Sequence, residues 1–331
     1  MPNSFMVTNR NKKGHGFGIE RDTLRYYTGE NAKDLSDPTN WVECKEEEFV
    51  RNIREQASAF PFKLDHENED QKHLTMFIHG YDNDWESSAM RYISLQKELY
   101  SGPDSLGMLV LFSWPSNGNV AAYLADREDA EASGPDLLRV LNLLYDNSLA
   151  MQTLAARQLR NGNIAQFQAT MCKAKISVIA HSMGNYLVEK GLSSLSKRIN
   201  NPQLFTLVHQ LVMAAADVDN DLFDKDLPAG SDGSLMANLC YRISALYTGH
   251  DQVLGTSALL KHFGTRRLGR SGLAEPNNVY DNVCEFDISP LISDDCKNVH
   301  SAAFTEKKVL HLVRDILRGV DRGVVETKHD L

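Results

Sequence analysis

The chain has 331 residues, 42% of them hydrophobic and 24% charged, which excludes a disordered or fibrous protein and leaves room for one large domain or two smaller ones. A formal net charge of −9 and a pI near 5.7 argue against a nucleic-acid surface, and no apolar run approaches the ~18 residues of a membrane span, so no integral membrane association is expected. The five cysteines are scattered without a CxxC pair and the N-terminal segment lacks an apolar signal core, which predicts a cytoplasmic protein with reduced thiols, no disulfide framework and no metal ligand set.

Residues 1–70 are polar and mixed; FMVTNR and TLRYYTG read as short strands and EEEFVRNIREQASAF as a helix. From Leu74 a regular alternation sets in. LTMFIH is a strand, WESSAMRYISLQKELY a helix, MLVLFS a strand, and Val120 to Leu144 largely helix. Residues 145–172, rich in Ala, Gln and Met, read as an inserted helical hairpin turning near Asn161-Gly162-Asn163, serving as a lid, an oligomer contact or a solvated elaboration. KISVIAH is then a strand and the residues after it a helix; LVHQLVMAA opens a third pair, RISALYT and VCEFDI are the last strands, and AAFTEKKVLHLVRDIL is an amphipathic final helix. Strands alternating with helices predict an α/β fold, a mostly parallel central sheet covered on both faces, within one domain over 1–331.

The join in IAHSMGN carries the chemistry. Ala180 and Gly184 flank Ser182 two positions away on either side, the small-x-Ser-x-small pattern of a nucleophile elbow in which a strand turns at once into a helix. The plainer alternative is a serine that only caps a helix. Upstream, His79-Gly80-Tyr81 ends a strand, placing the Tyr81 N–H beside that of Met183 as the donor pair for an oxyanion, with Gly80 allowing close approach. Downstream, Asp251 follows the RISALYT strand and is favoured as the acid over Asp217 and Asp219, which occupy a similar place one strand earlier. His300 precedes the final helix and is the expected base, with Ser301 as helix cap; His311 reads as structural, His262 sits in a basic loop, and His250 is the rival. His79, Gly80, Trp114, Ser116, His181 and Asp217 are candidate pocket-lining residues, although the Trp114 turn reads equally well as a packed tryptophan before a rigid proline. Asp126 and Arg127 read as an ion pair within a helix.

Taken in order, HGYDN, LFSWPSNG, YLADREDA, IAHSMGN, AAADVDNDLF and the Asp251 and His300 loops resemble a mostly bacterial α/β-hydrolase family long catalogued as a domain of unknown function, over about the last four-fifths of the chain. The resemblance implies an α/β-hydrolase fold and an esterase- or lipase-like serine hydrolase, with Ser182 as nucleophile, Asp251 as acid and His300 as base. Two departures are Ala216, where many relatives have proline, and the longer 145–172 insertion. The expected reaction is hydrolysis of a small-molecule or lipid ester without a cofactor. A phospholipase, thioesterase or amidase on the same residues, and a non-catalytic scaffold of the same fold, are the alternatives. A homo-oligomer is left open.

Overall fold

The computed structural model describes residues 3–61, 71–117, 122–198, 206–261 and 265–331. Val120 and His262, named above, lie outside them. The strands are β1 (Ser4–Lys13), β2 (Gly16–Gly29), β3 (Val42–Cys44), β4 (Lys72–Ile78), β5 (Gly107–Ser113), β6 (Ala174–His181), β7 (Val208–Ala214), β8 (Cys240–Tyr247) and β9 (Val283–Asp287). The helices are α1 (Glu46–Ser58), α2 (Trp85–Leu99), α3 (Tyr123–Arg160), α4 (Ile164–Thr170), α5 (Gly184–Arg198), α6 (Asp232–Leu239), α7 (Gln252–Lys261), α8 (Leu268–Ser271), α9 (Ala302–Thr305), α10 (Lys307–Arg318) and α11 (Arg322–His329).

All the strands join one sheet in the order β3-β2-β1-β5-β4-β6-β7-β8-β9. From β1 to β9 every neighbouring pair is parallel; only the β1–β2 and β2–β3 pairs are antiparallel. The N-terminal strands are longer than the sequence suggests, and β1 pairs directly with β5, so the N-terminal segment extends the main sheet. The central strands are apolar on both faces because both are covered. In β6, Ile176, Val178 and Ala180 enter a core with α1, α3 and α5, while Ile179 enters the opposite core with α2 and α10. In α10, Val309, Leu312, Val313 and Ile316 recur at helical spacing and are all buried, each contributing roughly 2 kcal/mol relative to exposure.

Strand order sets the site. The chain steps from β4 to β5 on one side, then crosses through α3 to β6 on the other, so the crossovers diverge between β4 and β6. Open α/β sheets gather their ligands at such a switch, beyond the carboxyl ends of the strands. Here those ends carry His79 and Ser182.

Three expectations change. The 123–144 helix and the first arm of the predicted hairpin are one continuous helix, α3, which accommodates Pro135; the turn does fall at Gly162, with φ 74°. Tyr145, Ser148, Leu149 and Gln152 share a cleft with Ala174, Lys175 and Ile176, at the amino end of β6. Seven residue steps, about 23 Å of strand, separate Ala174 from His181, so the hairpin stands at the sheet edge opposite Ser182 and does not cover it. The predicted final helix is broken at Glu306 into α9 and α10, and α11 follows it.

Candidate active site

Ser182 occupies the corner between β6 and α5 with φ 51°, a left-handed conformation that side chains rarely adopt. Asp82 (φ 56°) after β4 and Ala215 (φ 44°) after β7 share this property, so three of the four non-glycine residues with positive φ among the described residues follow strands of the sheet on one edge, the fourth being Asp330 after α11. The corner is held from below. The Ser182 N–H donates to the Ala214 carbonyl at 3.0 Å, the Asp217 N–H donates to the Ser182 carbonyl at 3.2 Å, and Asn185 Nδ2 reaches the carbonyls of Ala180, Ser182 and Ala214. Asn185 stands beside the elbow in the sequence, but its role as a staple depends on β7 and was not legible.

Glycine is required on both sides of the corner. A Cβ at Gly80 would lie 2.7 Å from Ser182 Cβ, and one at Gly184 would lie 2.5 Å from the His79 carbonyl oxygen. The loop from Gly80 to Asn83 is therefore pressed against the serine. Tyr81 packs edge-on against Tyr123 at 5.3 Å between ring centres. Met183, the other proposed donor, is buried at the start of α5.

His300 lies in a tight turn over Val299–Ser301, with its ring centre 4.8 Å from that of His181, the residue before Ser182. Its Nδ1 lies 2.7 Å from Asp251 Oδ2, and Asp251 Oδ1 accepts the Leu254 N–H at 3.0 Å. Asp251 is fully buried just beyond β8. Ser182 Oγ is also buried and makes no hydrogen bond among the described residues. His250 is exposed, as is His311 on α10.

Most of the expected pocket-lining residues hold the walls together from within. Asp217 is 1% exposed and receives Arg267 Nε at 2.8 Å, the Tyr123 hydroxyl at 2.6 Å and the Ser257 hydroxyl at 3.3 Å; Arg267 also pairs with Asp219. Trp114 is fully buried, stacked on His79 with ring centres 5.2 Å apart, and its Nε1 donates to the His79 carbonyl at 2.8 Å. The packed-tryptophan reading therefore holds. Ser116 is buried too, giving its proton to Asp126 Oδ2 at 2.6 Å and accepting the Asn83 N–H at 3.2 Å. Ser301 stands at the N-cap position of α9 but its hydroxyl makes no capping bond, accepting one from Arg91 at 3.2 Å instead. Asp126 and Arg127 form no ion pair, because consecutive helix residues point apart. Asp126 instead accepts from Ser116, from Asn117 and from the Asp82 N–H at 3.3 Å, while Arg127 lies over the Tyr186 ring at 3.6 Å.

Two further arginines, the fully buried Arg10 and the half-buried Arg91, have roles that the sequence does not announce. Arg10 on β1 donates to the carbonyls of Gly18, Asn83 and Ser116, to Ser113 Oγ and to His79 Nε2. Burial pulls it down to about 10 against the opposing pull of Asp84, Asp126 and Asp129. His79 accepts the Trp114 N–H and Arg10 at Nε2, so its Nδ1 carries the proton and donates to the Gly80 carbonyl at 2.8 Å. Burial, reinforced by Arg10, holds His79 well below the usual histidine range. Arg91 on α2 does the same for His181, whose pKa is lowered first by burial and then by Arg91.

Among the described residues no cluster of His, Cys, Asp or Glu is suited to hold a metal ion, and no helix is long and apolar enough to cross a membrane. Three strand ends thus bring together a strained serine, a closely packed glycine loop and a carboxylate–imidazole pair. With this arrangement on the α/β sheet, the chain matches the alpha/beta hydrolases of unknown function (DUF900) over residues 55–156 and 152–315, and it belongs to that family. It is also similar to the uncharacterized protein alr1448 of Nostoc sp., 25% identical over 231 residues, which cover 60% of this chain and 52% of the relative. The chain thus spans about half the length of that curated relative.

Proposed function

We propose that the protein is a serine hydrolase that cleaves carboxylic esters through an acyl-enzyme. The observation that carries this reading is the 2.7 Å contact between His300 and Asp251, delivered to the sheet edge where Ser182 is held at φ 51°. Asp251 accepts the Nδ1 proton of His300 and leaves Nε2 as the basic nitrogen. Ser182 Oγ attacks the ester carbonyl carbon as its proton passes to Nε2; the carbonyl oxygen takes the negative charge and receives the Tyr81 and Met183 N–H groups. The C–O bond to the alcohol then breaks, and Nε2–H protonates the leaving oxygen. Water, deprotonated by Nε2, attacks the acyl-serine, and the carboxylic acid departs. As the acyl C–Oγ bond breaks, Nε2–H protonates Ser182 Oγ, so the serine proton leaves with the alcohol and the water proton replaces it; no cofactor enters these steps.

A panel of p-nitrophenyl esters from acetate to palmitate tests the reading. Turnover of at least one member, abolished by Ser182→Ala in a folded protein, is expected. No turnover across the panel, with no labelling by a fluorophosphonate, would remove it and leave the non-catalytic scaffold.

A further inference from the structure

The turn carrying His300 is fastened by a cation that has no carboxylate at hydrogen-bond distance among the described residues. Arg91 Nη1 donates to His181 Nδ1 at 2.7 Å, and Arg91 Nη2 donates to Ser301 Oγ at 3.2 Å. Its guanidinium lies 5.6 Å from the Phe304 ring centre, over a ring that His181 meets edge-on at 4.9 Å. An arginine only donates, so His181 Nδ1 must be bare and Nε2 must carry the proton. That Nε2–H donates to the His300 carbonyl at 2.8 Å. One side chain therefore grips the turn at two points, directly at Ser301 and through His181 at His300. His181 immediately precedes Ser182, so the same grip sets the His300 backbone against the strand that delivers the serine.

We propose that Arg91 is a positioning residue for the general base, clamping the His300 turn and locking His181 as the Nε2–H tautomer. This rests on the reading of Ser182, His300 and Asp251 as an acyl-transfer site. The lock has a second consequence. The rings of His181, at the end of β6, and His300, in its turn, lie 4.8 Å apart. With Nδ1 of His181 occupied by Arg91 and Nε2 by the His300 carbonyl, that second imidazole has no free nitrogen to compete for the serine proton. Asp251 orients the His300 ring while Arg91 orients its backbone, so ring and backbone are fixed by different elements.

Arg91→Met keeps apolar bulk over Phe304 and removes both donors. Its kcat on p-nitrophenyl butyrate should fall about 10²-fold, the scale of an ångström-level misplacement of a reacting group, with KM within about twofold because Arg91 does not act on substrate. Arg91→Lys supplies a point cation where a planar fork spans two acceptors, and should lose less, about tenfold. Ser301→Ala should lose a few-fold, and adding it to Arg91→Met should cost nothing more, since the two groups act as a unit. Nitrogen-15 histidine spectra should show His181 as Nε2–H in the unsubstituted protein and as a tautomer mixture in Arg91→Met. A folded Arg91→Met enzyme with kcat within threefold, or additive Arg91→Met and Ser301→Ala losses, would overturn the clamp. If Arg91→Met does not fold, wild-type kcat in both Arg91→Lys and Ser301→Ala overturns it instead. Absence of any Ser182 labelling in the unsubstituted protein is a separate outcome that sinks the hydrolase reading itself, and the histidine spectra would then still report whether Arg91 sets the tautomer.

Discussion

Replacing Asp251 by asparagine separates the two aspartates that compete for one role. Asparagine fits the same space, and its amide oxygen still accepts the Leu254 N–H that now reaches Oδ1 at 3.0 Å. What changes is the group 2.7 Å from His300 Nδ1, where an acceptor becomes an NH₂ donor. His300 then prefers to leave Nδ1 bare and protonate Nε2, and a protonated Nε2 cannot take the serine proton. The expected loss in kcat is about 10⁴-fold, or about 5 kcal/mol of transition-state stabilisation, with little change in melting temperature. Asp217→Asn should do the reverse. It breaks an ion pair with Arg267 in which both side chains are at most 2% exposed, and leaves a buried cation with Asp219 as its remaining carboxylate. That should cost about 3–5 kcal/mol of stability and leave turnover of the folded fraction within about tenfold. Ester hydrolysis and thermal melts on both variants give the comparison. Should Asp217→Asn abolish turnover in a folded protein while Asp251→Asn does not, the acid has been placed on the wrong strand.

Gly184→Ala puts a Cβ 2.5 Å from the His79 carbonyl oxygen and 2.8 Å from that of Ile78, both backbone atoms, so the Gly80 loop must move; stability should fall by about 1–3 kcal/mol and kcat at least tenfold, and unchanged values would refute the close packing. Acid should destabilise the protein through its neutral buried histidines. His73 is held near 3, and His79 and His181 well below the usual value, chiefly by burial. The unfolded chain takes up these protons near 6.5 and the folded one does not, so this stability is complete above the unfolded value and is lost progressively as the pH falls below it, by about 1 kcal/mol per histidine at pH 5.5. Urea midpoints at pH 7.5 and 5.5 measure it; equal midpoints would contradict it. Deleting Ser148 to Gln168 with a short Gly-Ser closure should leave the ester chain-length preference unchanged, because the hairpin stands at the far sheet edge, and a shifted preference would show that it reaches the serine.

The order of elements from Leu74 onward was legible because each central strand is an apolar run and each helix has its own periodicity. Ser182 and Asp251 can be proposed because each closely follows such a run, and His300 because it precedes the final helices; the structure brings Asp251 and His300 together at 2.7 Å. The two arginines cannot be proposed in this way. Arg10 and Arg91 look like any charged residue in the sequence, and their burial is decided by carbonyls and rings contributed from distant segments. The buried partners of Trp114, Ser116 and Asp217 are not legible for the same reason, since proximity to a strand end does not say which way a side chain faces. Asp126 was paired with its chain neighbour, whereas its real partners come from the turn after β5 and the loop after β4. The hairpin was recognised with its turn, but which sheet edge it occupies depends on α3 running unbroken from one edge to the other.

The most direct test of the central claim is to treat the protein with a fluorophosphonate and locate the adduct by peptide mass spectrometry. The account predicts a single adduct on Ser182, abolished in Ser182→Ala and much slowed in His300→Ala, with both variants folded. A folded protein that reacts elsewhere, or that labels equally well without the Ser182 hydroxyl, would contradict it.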